Sequence, residues 1–272
     1  MQTMNLYNEP IGQLEDGRYA KYVQLQARDV DLNDRWKMAS VFETFQEIAG
    51  EQCVGLGFGW NRLMEEYGYC FIIVRMYVEM DAYPGANETV RVETWPENKL
   101  RLIFTRYFRI IDQTGRVIGR AVSNWVLFDM NSRSVVKPQS CPIIQTPDTD
   151  SLEPPVLMPR GKTEALSESE DCTVVQKARV PGYSDLDYNR HVNNARYVEW
   201  VQDALPASCY GHFTQTLDIH YEHEIEWAAF EQNPVAVSLQ VAVSESKQKF
   251  SVVASGAEDR KHFTCAGTWR SI

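Results

Sequence analysis

Apolar residues recur at intervals of three and four in two separate segments of the chain. The first set comprises Val41, Phe42, Phe45, Ile48 and Ala49, and the second comprises Tyr197, Val198, Val201 and Leu205. This spacing puts the apolar side chains on one face of a helix. We therefore predict two helices, the second of which ends before Pro206 because proline cannot continue a helix.

Each predicted helix is followed by several runs rich in β-branched and aromatic residues. These runs span 70–80, 88–95, 102–111 and 116–128 after the first helix, and 215–221, 235–244, 250–255 and 262–269 after the second. The turn from Asp112 to Gly115 joins two of the runs as a hairpin. One helix followed by antiparallel strands, twice over, predicts an α+β protein in which each half wraps a sheet round its helix.

The two halves also resemble each other in sequence. The segment from Asp31 to Arg35 can be laid over the segment from Asp187 to His191 without a gap. Beyond these segments the same offset matches three identical pairs, which are Ala39 with Ala195, Glu43 with Glu199, and Gln46 with Gln202. We infer an internal repeat whose unit is a polar loop followed by a helix.

A proline-rich stretch separates the two halves. It contains Pro142, Pro147, Pro154, Pro155 and Pro159, and a polar run follows at 167–171. Few residues in this stretch alternate as a strand requires, so we expect a linker. We predict a first domain over residues 1–145, a linker over 146–172 and a second domain over 173–272.

The composition is that of an ordinary globular protein, with 272 residues, 44% hydrophobic and 24% charged. No apolar run approaches the roughly 20 residues that cross a bilayer, so we expect no membrane insertion. The segment from Met1 to Pro10 has neither the basic start nor the apolar stretch of a signal peptide, and no transit segment is evident. Six scattered cysteines without a CxxC pair favour free thiols. We therefore expect a cytoplasmic protein.

The net charge of −10 argues against nucleic-acid binding, which needs a basic surface. Between Lys99 and Lys137, however, eight basic residues face only two acidic ones, Asp112 and Asp129. This local excess could attract an acidic partner, or it could simply belong to solvated strand faces.

The segment from Tyr183 to Asn194 is the richest in groups that can do chemistry. Asp187, Asn189 and His191 are spaced by two, which in an extended chain puts a carboxylate, an amide and an imidazole on one side. A helix begins directly afterwards, with Asn193 or Asn194 as its N-cap, so its free N–H groups face the same volume. A base for water and donors for an oxyanion are what an acyl-transfer site requires.

A structural explanation exists for each of these residues, since Asp187 and Asn189 could shape a turn and His191 could be a core histidine. The repeat helps to choose, because the first half keeps Asp31 and Asn33 but has Arg35 where the second half has His191. We expect the shared residues to be partly architectural. A single active site would therefore belong to the second half.

Other catalytic and ligand-binding motifs are not supported. His220 and His223 have an H-x-x-H spacing, but on a strand they point to opposite faces, which argues against a zinc site. The sequence has no G-x-S-x-G elbow, phosphate-binding glycine loop or dinucleotide fingerprint. We predict neither a metal nor a cofactor.

The segment from Asp185 to Asn194, followed by Tyr197 and Trp200, closely resembles the signature of plant and bacterial acyl-acyl carrier protein thioesterases. Further points of resemblance in the first half are Arg75-Met76, Tyr83-Pro84, the run from Val92 to Trp95, and Gly119-Arg120-Ala121 before Trp125. The resemblance covers nearly the whole chain. It implies two tandem hotdog domains and hydrolysis of the thioester between a fatty acyl chain and the phosphopantetheine arm of the carrier.

The resemblance also implies four catalytic residues, namely Asp187, Asn189, His191 and Glu224. Glu224 comes from a Tyr-x-x-Glu pattern at 221–224 and has Glu222 and Glu226 as acidic neighbours. The next position, where a cysteine nucleophile has been considered for the family, is Ile225. A thiol at this position therefore cannot take part.

Our mechanistic hypothesis is direct hydrolysis, in which Glu224 deprotonates a water with help from His191. Asp187 would fix the imidazole or share in polarising the water. The Asn189 amide and the backbone N–H groups of Val192 and Asn193 would stabilise the oxyanion.

The resemblance places an acyl tunnel in the first domain. Candidates for its lining, which could equally be plain core, are Met38, Trp60, Met64, Tyr69 and Phe71. The implied partner is an acyl carrier protein, and carrier proteins are acidic. Candidates for docking it are Lys99, Arg101, Arg106 and Arg109.

Alternative functions are an acyl-coenzyme A thioesterase, which could use the same site, and a non-catalytic acyl-binding module. A hotdog dehydratase fits the tandem signature less well. The preferred chain length and saturation cannot be inferred from the sequence. Both a monomer and a homodimer are compatible with it, because two fused hotdog halves imitate a dimer of single ones.

Overall fold

The protein is described here from a computed structural model that covers residues 13–98, 101–167, 171–226 and 236–270. The helices are α1 (Met38–Gly55), α2 (Trp60–Tyr67) and α3 (Asn194–Ala204). The first-half strands are β1 (Gln13–Glu15), β2 (Arg18–Gln24), β3 (Tyr69–Met80), β4 (Thr89–Pro96), β5 (Ile103–Ile111), β6 (Val117–Asp129) and β7 (Ser134–Val136). The second-half strands are β8 (Thr173–Arg179), β9 (Phe213–Tyr221), β10 (Val237–Ser244), β11 (Lys249–Ser255) and β12 (Lys261–Arg270).

Within the described ranges, the strands form one antiparallel sheet of 12 strands. Its order is β1-β2-β4-β5-β6-β3-β9-β12-β11-β10-β8, with β7 added on β6. The two halves meet where β3 pairs with β9, with Arg75 opposite His220 and Glu79 opposite Thr216. Each half therefore contributes its own sheet and helix, and the sheets join edge to edge. The predicted α+β fold with two tandem hotdog domains is confirmed.

The apolar face of each helix is buried against the sheet as its spacing predicts. Val41, Phe42, Phe45 and Ile48 of α1 are fully buried, and Val198 and Val201 of α3 are buried equally well. The repeat-related Ala39 and Ala195 are also buried. Residues of both helices belong to one continuous hydrophobic core that spans the two halves.

Every predicted strand is present, with bounds within two residues of those expected, although residue 235 lies outside the described residues. The sequence did not predict α2 or the strands β1, β2, β7 and β8. Strand β8 shows why, because it is an edge strand with most of its residues exposed and so lacks the alternation that identifies a strand.

Helix α2 ends at Gly68, whose φ of 70° lies in the left-handed region. Glycine adopts this conformation without the clash that a Cβ atom would cause, and the Gly68 N–H donates to Met64 O at 3.0 Å. The chain then enters β3 directly, and α2 packs against β3, the first-half strand that pairs with β9.

The region between the halves contains no helix or strand from 146 to 167, within the described residues. The boundaries 1–145, 146–172 and 173–272 stay a prediction.

Candidate active site

The loop from Asp187 to His191 is closed by its own backbone and by the Asp187 carboxylate. The Asp187 N–H donates to His191 O at 2.9 Å. Asp187 Oδ1 accepts from the Asn189 N–H at 2.8 Å and from the His191 N–H at 3.4 Å. Arg190 takes a left-handed φ of 64° to complete the turn. The carboxylate of Asp187 is thus used to build the loop, and no hydrogen bond among the described residues joins it to the His191 imidazole.

The first-half loop from Asp31 to Arg35 has the same construction. Asp31 Oδ1 accepts from the Asn33 N–H at 2.8 Å and from the Arg35 N–H at 3.1 Å. The Asp31 N–H donates to Arg35 O at 2.8 Å, and Asp34 has a φ of 55°. The repeat inferred from sequence is therefore a repeat of hydrogen bonds as well as of residue types.

The two loops have different surroundings. The Asn33 amide donates to Tyr210 O at 2.9 Å, so the first-half loop contacts the second half. Asp187, Asn189 and His191, in contrast, line a cavity to which the first-half loop contributes no residue. This difference supports a single site in the second half.

Helix α3 begins at the end of the second loop. Asn193 is its N-cap, and Asn193 Oδ1 accepts from the Ala195 N–H at 2.9 Å. The Val192 N–H donates to Ile225 O at 3.0 Å and the Asn193 N–H to Asp185 O at 2.9 Å. The prediction that these two N–H groups would hold an oxyanion is wrong, because both already have partners. Asn194 is the first helical residue, and its N–H belongs to the first turn, which has no acceptor inside the helix.

The imidazole of His191 faces the carboxylate of Glu224. His191 Nε2 lies 3.7 Å from Glu224 Oε2, and the two side chains are 17% and 37% exposed. The neighbouring acids are engaged elsewhere. Glu222 Oε1 accepts from the Thr264 hydroxyl at 3.0 Å, and Glu226 pairs with Arg133 at 3.2 Å. Glu224 is therefore the acid of this segment that is best placed to act with His191.

Three side chains of this region could in principle hold a cation. Ligand atoms of His191, Glu224 and Glu226 lie within 4.8 Å of one another. Arg133 already supplies a positive charge to Glu226, which weakens the case for a metal there. His223 Nδ1 lies 2.7 Å from Lys261 O, a contact outside any such cluster.

A cavity of about 480 Å³ connects the loop and Glu224 with the interior of the first half. The second half contributes Asp187, Tyr188, Asn189, His191, Asn194, Tyr197, Tyr221 and Glu224, among others. The first half contributes mainly apolar side chains, including Ala49, Phe58, Trp60, Leu63, Met64, Phe71, Ile73, Phe104, Trp125 and Ile144. The cavity thus has a polar end in one half and an apolar body in the other.

Three of the five predicted lining residues, Trp60, Met64 and Phe71, line this cavity. Met38 does not, because it starts α1 and is buried in the main core. Tyr69 is not among the lining residues either, although it packs against the same cluster as Phe71. These two assignments are corrected. The sequence missed most of the other lining residues because their strand faces carry the same residue types as plain core.

The cavity also contains two thiols, which burial keeps protonated. Burial raises the pKa of Cys70 to about 11, and the nearby negative charge of Glu224 adds to the effect. Burial also raises the pKa of Cys53. Neither thiol is poised to act as a thiolate nucleophile near neutral pH.

The predicted docking residues are not one surface. Arg106 is only 7% exposed, donates to Thr94 Oγ1 at 3.1 Å and to Gln52, and lines the cavity. Its assignment as a surface contact is wrong, because its strand position faces inward. Arg109 is partly buried and donates to Glu93 at 2.9 Å. Arg101 is exposed, and Lys99 lies outside the described residues.

Aromatic side chains join the two halves beside the cavity. The rings of Trp60 and Tyr188 meet edge to face with their centroids 4.9 Å apart. The two residues are 38% and 72% exposed, so they stand at the surface end of the cavity. No helix in the described part of the chain is long and apolar enough to cross a membrane.

The fold is that of a tandem hotdog protein, and the cavity is lined by residues of both halves. Residues 16–140 match the family model of the acyl-ACP thioesterase N-terminal domain, and residues 169–271 match that of the C-terminal domain. The chain therefore belongs to the acyl-ACP thioesterase family, as its resemblance implied.

Named relatives agree with this placement. The chain is 29% identical over 227 residues to an oleoyl-acyl carrier protein thioesterase of Coriandrum sativum, across 78% of this chain and 61% of the relative. It is 26% identical over 227 residues to a palmitoyl-acyl carrier protein thioesterase of Gossypium hirsutum, across 78% of this chain and 53% of that protein. Both relatives are chloroplastic by name, and the matched region spans about half to two thirds of their length.

Two solved structures share the fold over almost their whole length. An acyl-ACP thioesterase from Bacteroides thetaiotaomicron superposes with a TM-score of 0.76 at 24% identity, covering 95% of this chain and 100% of that one. A 12:0-ACP thioesterase from Umbellularia californica gives 0.75 at 20% identity, covering 95% and 99%. Identities this low establish the shared fold alone.

Proposed function

We propose that this protein is a thioesterase that hydrolyses fatty acyl-acyl carrier protein and releases the free fatty acid. One observation carries the proposal: the apolar cavity in the first half ends at the His191 and Glu224 pair of the second half. An acyl chain needs the apolar body, and thioester hydrolysis needs a base at its polar end. Membership of the acyl-ACP thioesterase family supports the same substrate class.

Hydrolysis proceeds by direct attack of water on the thioester carbonyl carbon. Glu224 accepts a proton from the water, and His191, 3.7 Å away, orients that carboxylate. The water oxygen bonds to the carbonyl carbon, and collapse of the tetrahedral intermediate breaks the carbon–sulfur bond. The departing sulfur takes the proton that Glu224 accepted from the water, which regenerates the carboxylate and leaves the fatty acid and the carrier's free thiol as products.

The oxyanion of the intermediate needs hydrogen-bond donors. The Val192 and Asn193 N–H groups are occupied, so the backbone donor is the Asn194 N–H at the start of α3. The positive end of the helix dipole favours negative charge at this position. The Asn189 amide, which lines the cavity, is the second donor that we assign.

Substitution of the base pair tests the proposal. We expect His191→Ala and Glu224→Ala each to lower kcat on an acyl-carrier substrate by about 10²-fold or more, in line with the loss of a general base. Glu226→Gln, which leaves Glu224 in place, should keep most of the turnover. Near-native turnover in both alanine variants would contradict the assignment.

The choice of carrier is measured separately. Rates on the same acyl chain, attached either to the carrier protein or to coenzyme A, should favour the carrier protein. A preference for coenzyme A would make the protein an acyl-coenzyme A thioesterase. Binding of an acyl group without release of fatty acid would instead indicate a non-catalytic module. Cytoplasmic location and the choice between monomer and homodimer stay predictions.

A further inference from the structure

Gln46 is a polar residue of the first half that shares the cavity with the proposed catalytic residues. It lies on α1 and lines the cavity together with His191, Asn194 and Glu224. Its Nε2 is buried and has no hydrogen-bond partner among the described residues. A buried amide donor without a partner destabilises the folded protein, and a bound substrate oxygen that accepted from it would offset this cost.

Contacts between the helices place Gln46 close to the start of α3. Arg196 Nη2 lies 3.7 Å from Glu43 Oε1 and ties the two helices together. Gln46 is one turn after Glu43 on α1, and Asn193 is one turn before Arg196 on α3. Residues three apart on a helix share a face. Gln46 therefore lies on the same side of α1 as Glu43, and Asn193 lies on the same side of α3 as Arg196.

The residues that line the cavity show which part of α1 faces the beginning of α3. Helix α1 contributes only residues from Gln46 onward, which are Gln46, Ala49, Gly50 and Cys53, whereas α3 contributes Asn194 and Tyr197 from its first turn. The second part of α1 therefore faces the beginning of α3. Gln46 is the first cavity residue of α1 after the Glu43–Arg196 contact, beside the end of α3 where the oxyanion would form.

We propose that Gln46 is a further catalytic residue, whose amide N–H donates to the thioester carbonyl oxygen. This inference rests on the proposed function. Two of the expected donors, the N–H groups of Val192 and Asn193, are occupied, which leaves the Asn194 N–H and the Asn189 amide as the donors of the second half. The Gln46 amide adds a donor from the first half to these two. No proton leaves Gln46, because its hydrogen bond only strengthens as negative charge develops on the oxygen.

The other glutamines of these helices do not have this combination. Gln52 donates to Gly17 O at 3.2 Å and accepts from Arg106, so its amide is satisfied. Gln202 is the repeat partner of Gln46, yet it does not line the cavity. Gln202 therefore provides a matched control for replacing a glutamine at this point of the helix.

The experiment compares Gln46→Met, Gln46→Glu and Gln202→Met with the wild type on an acyl-carrier substrate. We expect both Gln46 variants to lower kcat by about 10²-fold, since the loss of one oxyanion donor has an effect of this size. Gln202→Met should keep the wild-type kcat. The Tm of Gln46→Met should be unchanged or higher, because an unsatisfied buried donor has been removed.

Affinity for a thioether analogue distinguishes a contact with the carbonyl oxygen from a purely structural role of Gln46. This carrier-bound analogue has a methylene in place of the carbonyl, so Gln46→Met and the wild type should bind it with the same Kd. Gln46 variants that keep kcat within about threefold of an active wild type would overturn the inference and leave the proposed function standing. A lower kcat of Gln46→Met that is accompanied by a lower Tm would also overturn it. So would weaker binding of the thioether analogue by Gln46→Met than by the wild type. An inactive wild type would overturn the proposed function as well.

Discussion

At the scale of single residues, the two loops separate architecture from chemistry. Asp31 and Asp187 accept the same pair of backbone N–H groups in loops that are related by the repeat. A requirement common to both loops cannot be catalytic in both, because only the second loop lines the cavity. The shared aspartate is thus explained by the shape of the loop. At the position of Arg35 in the first loop, the second loop has His191, which lines the cavity.

This division predicts how the aspartates respond to substitution. Asp187→Asn keeps an oxygen that can accept the Asn189 and His191 N–H groups, so it should fold with near-native stability. Asp187→Ala leaves both donors without that partner and should lower the free energy of unfolding by roughly 1–3 kcal/mol. It should also lower kcat more than Asp187→Asn does, because the loop carries His191. Urea unfolding and steady-state kinetics measure the two effects.

The first-half aspartate is the control for this prediction. Asp31→Ala should lower the free energy of unfolding by a similar amount, because it removes the same two hydrogen bonds. It should leave kcat close to that of the wild type, since its loop does not reach the cavity. Equal kcat losses at Asp31 and Asp187 would refute a distinction between the loops.

The sequence could predict that Asp187, Asn189 and His191 lie together, but not which of the neighbouring backbone N–H groups are free. Asp187, Asn189 and His191 come from one short segment, so their proximity follows from chain connectivity. The N–H groups of Val192 and Asn193 are different, because their acceptors are Ile225 O and Asp185 O. The first acceptor lies on a distant segment, and no local pattern indicates such a pairing.

At the scale of elements, the sequence predicted the helices and strands in which one face is buried, because burial of one face makes apolar residues recur at a regular spacing. Helices α1 and α3 and the central strands have that spacing, because one face of each packs on the core. Helix α2 has only eight residues, of which Leu63 alone is buried, so too few apolar positions repeat for recognition. Edge strands such as β8 fail for the related reason that solvent reaches most of their residues.

The β3–β9 pairing joins the halves and contains a nearly buried ion pair. Arg75 donates to both carboxylate oxygens of Asp218, at 2.9 and 2.6 Å, and also to Gly161 O at 2.6 Å. The two side chains are 11% and 12% exposed. Arg75 therefore connects a strand of the first half, a strand of the second half and the region between them.

Breaking this ion pair should destabilise the whole molecule. Asp218→Ala leaves the Arg75 charge nearly buried without its carboxylate, and such a loss lowers the free energy of unfolding by roughly 3–5 kcal/mol. The double variant Arg75→Met/Asp218→Leu removes both charges and should recover much of that stability. Urea unfolding of the three proteins measures both effects, and a double variant as unstable as Asp218→Ala would contradict this explanation.

At the scale of the whole molecule, folding disperses the basic residues that the sequence groups together. The run from Lys99 to Lys137 looks like one positive surface, yet Arg106 is inside and Arg109 is paired with Glu93. Alternate residues of a strand point to opposite faces, so a charge-rich strand divides its charges between interior and exterior. Net charge along a segment therefore overstates what a partner can contact.

Among the docking candidates that the structure describes, Arg101 is the exposed one, and it lies between β4 and β5. This connection is close to the cavity, because Pro96 and Phe104 on its two sides line the cavity. The protein as a whole carries a charge of −10, so an acidic carrier is repelled unless it meets a local positive group. Arg101 thus becomes the docking residue to test, whereas reversal of Arg106 would place a carboxylate in the interior.

Arg101→Glu should raise the KM for an acyl-carrier substrate severalfold at low salt while leaving kcat unchanged. The increase should shrink as ionic strength rises toward the range where exposed charges are screened. Arg28 is also exposed, but no residue within five positions of it lines the cavity, so Arg28→Glu serves as the control and should leave KM unchanged. An acyl-coenzyme A substrate, which lacks the acidic carrier protein, should show no increase of this size with Arg101→Glu. Equal increases for both substrates would mean that Arg101 acts on the acyl group or its arm, and the docking assignment would then be wrong.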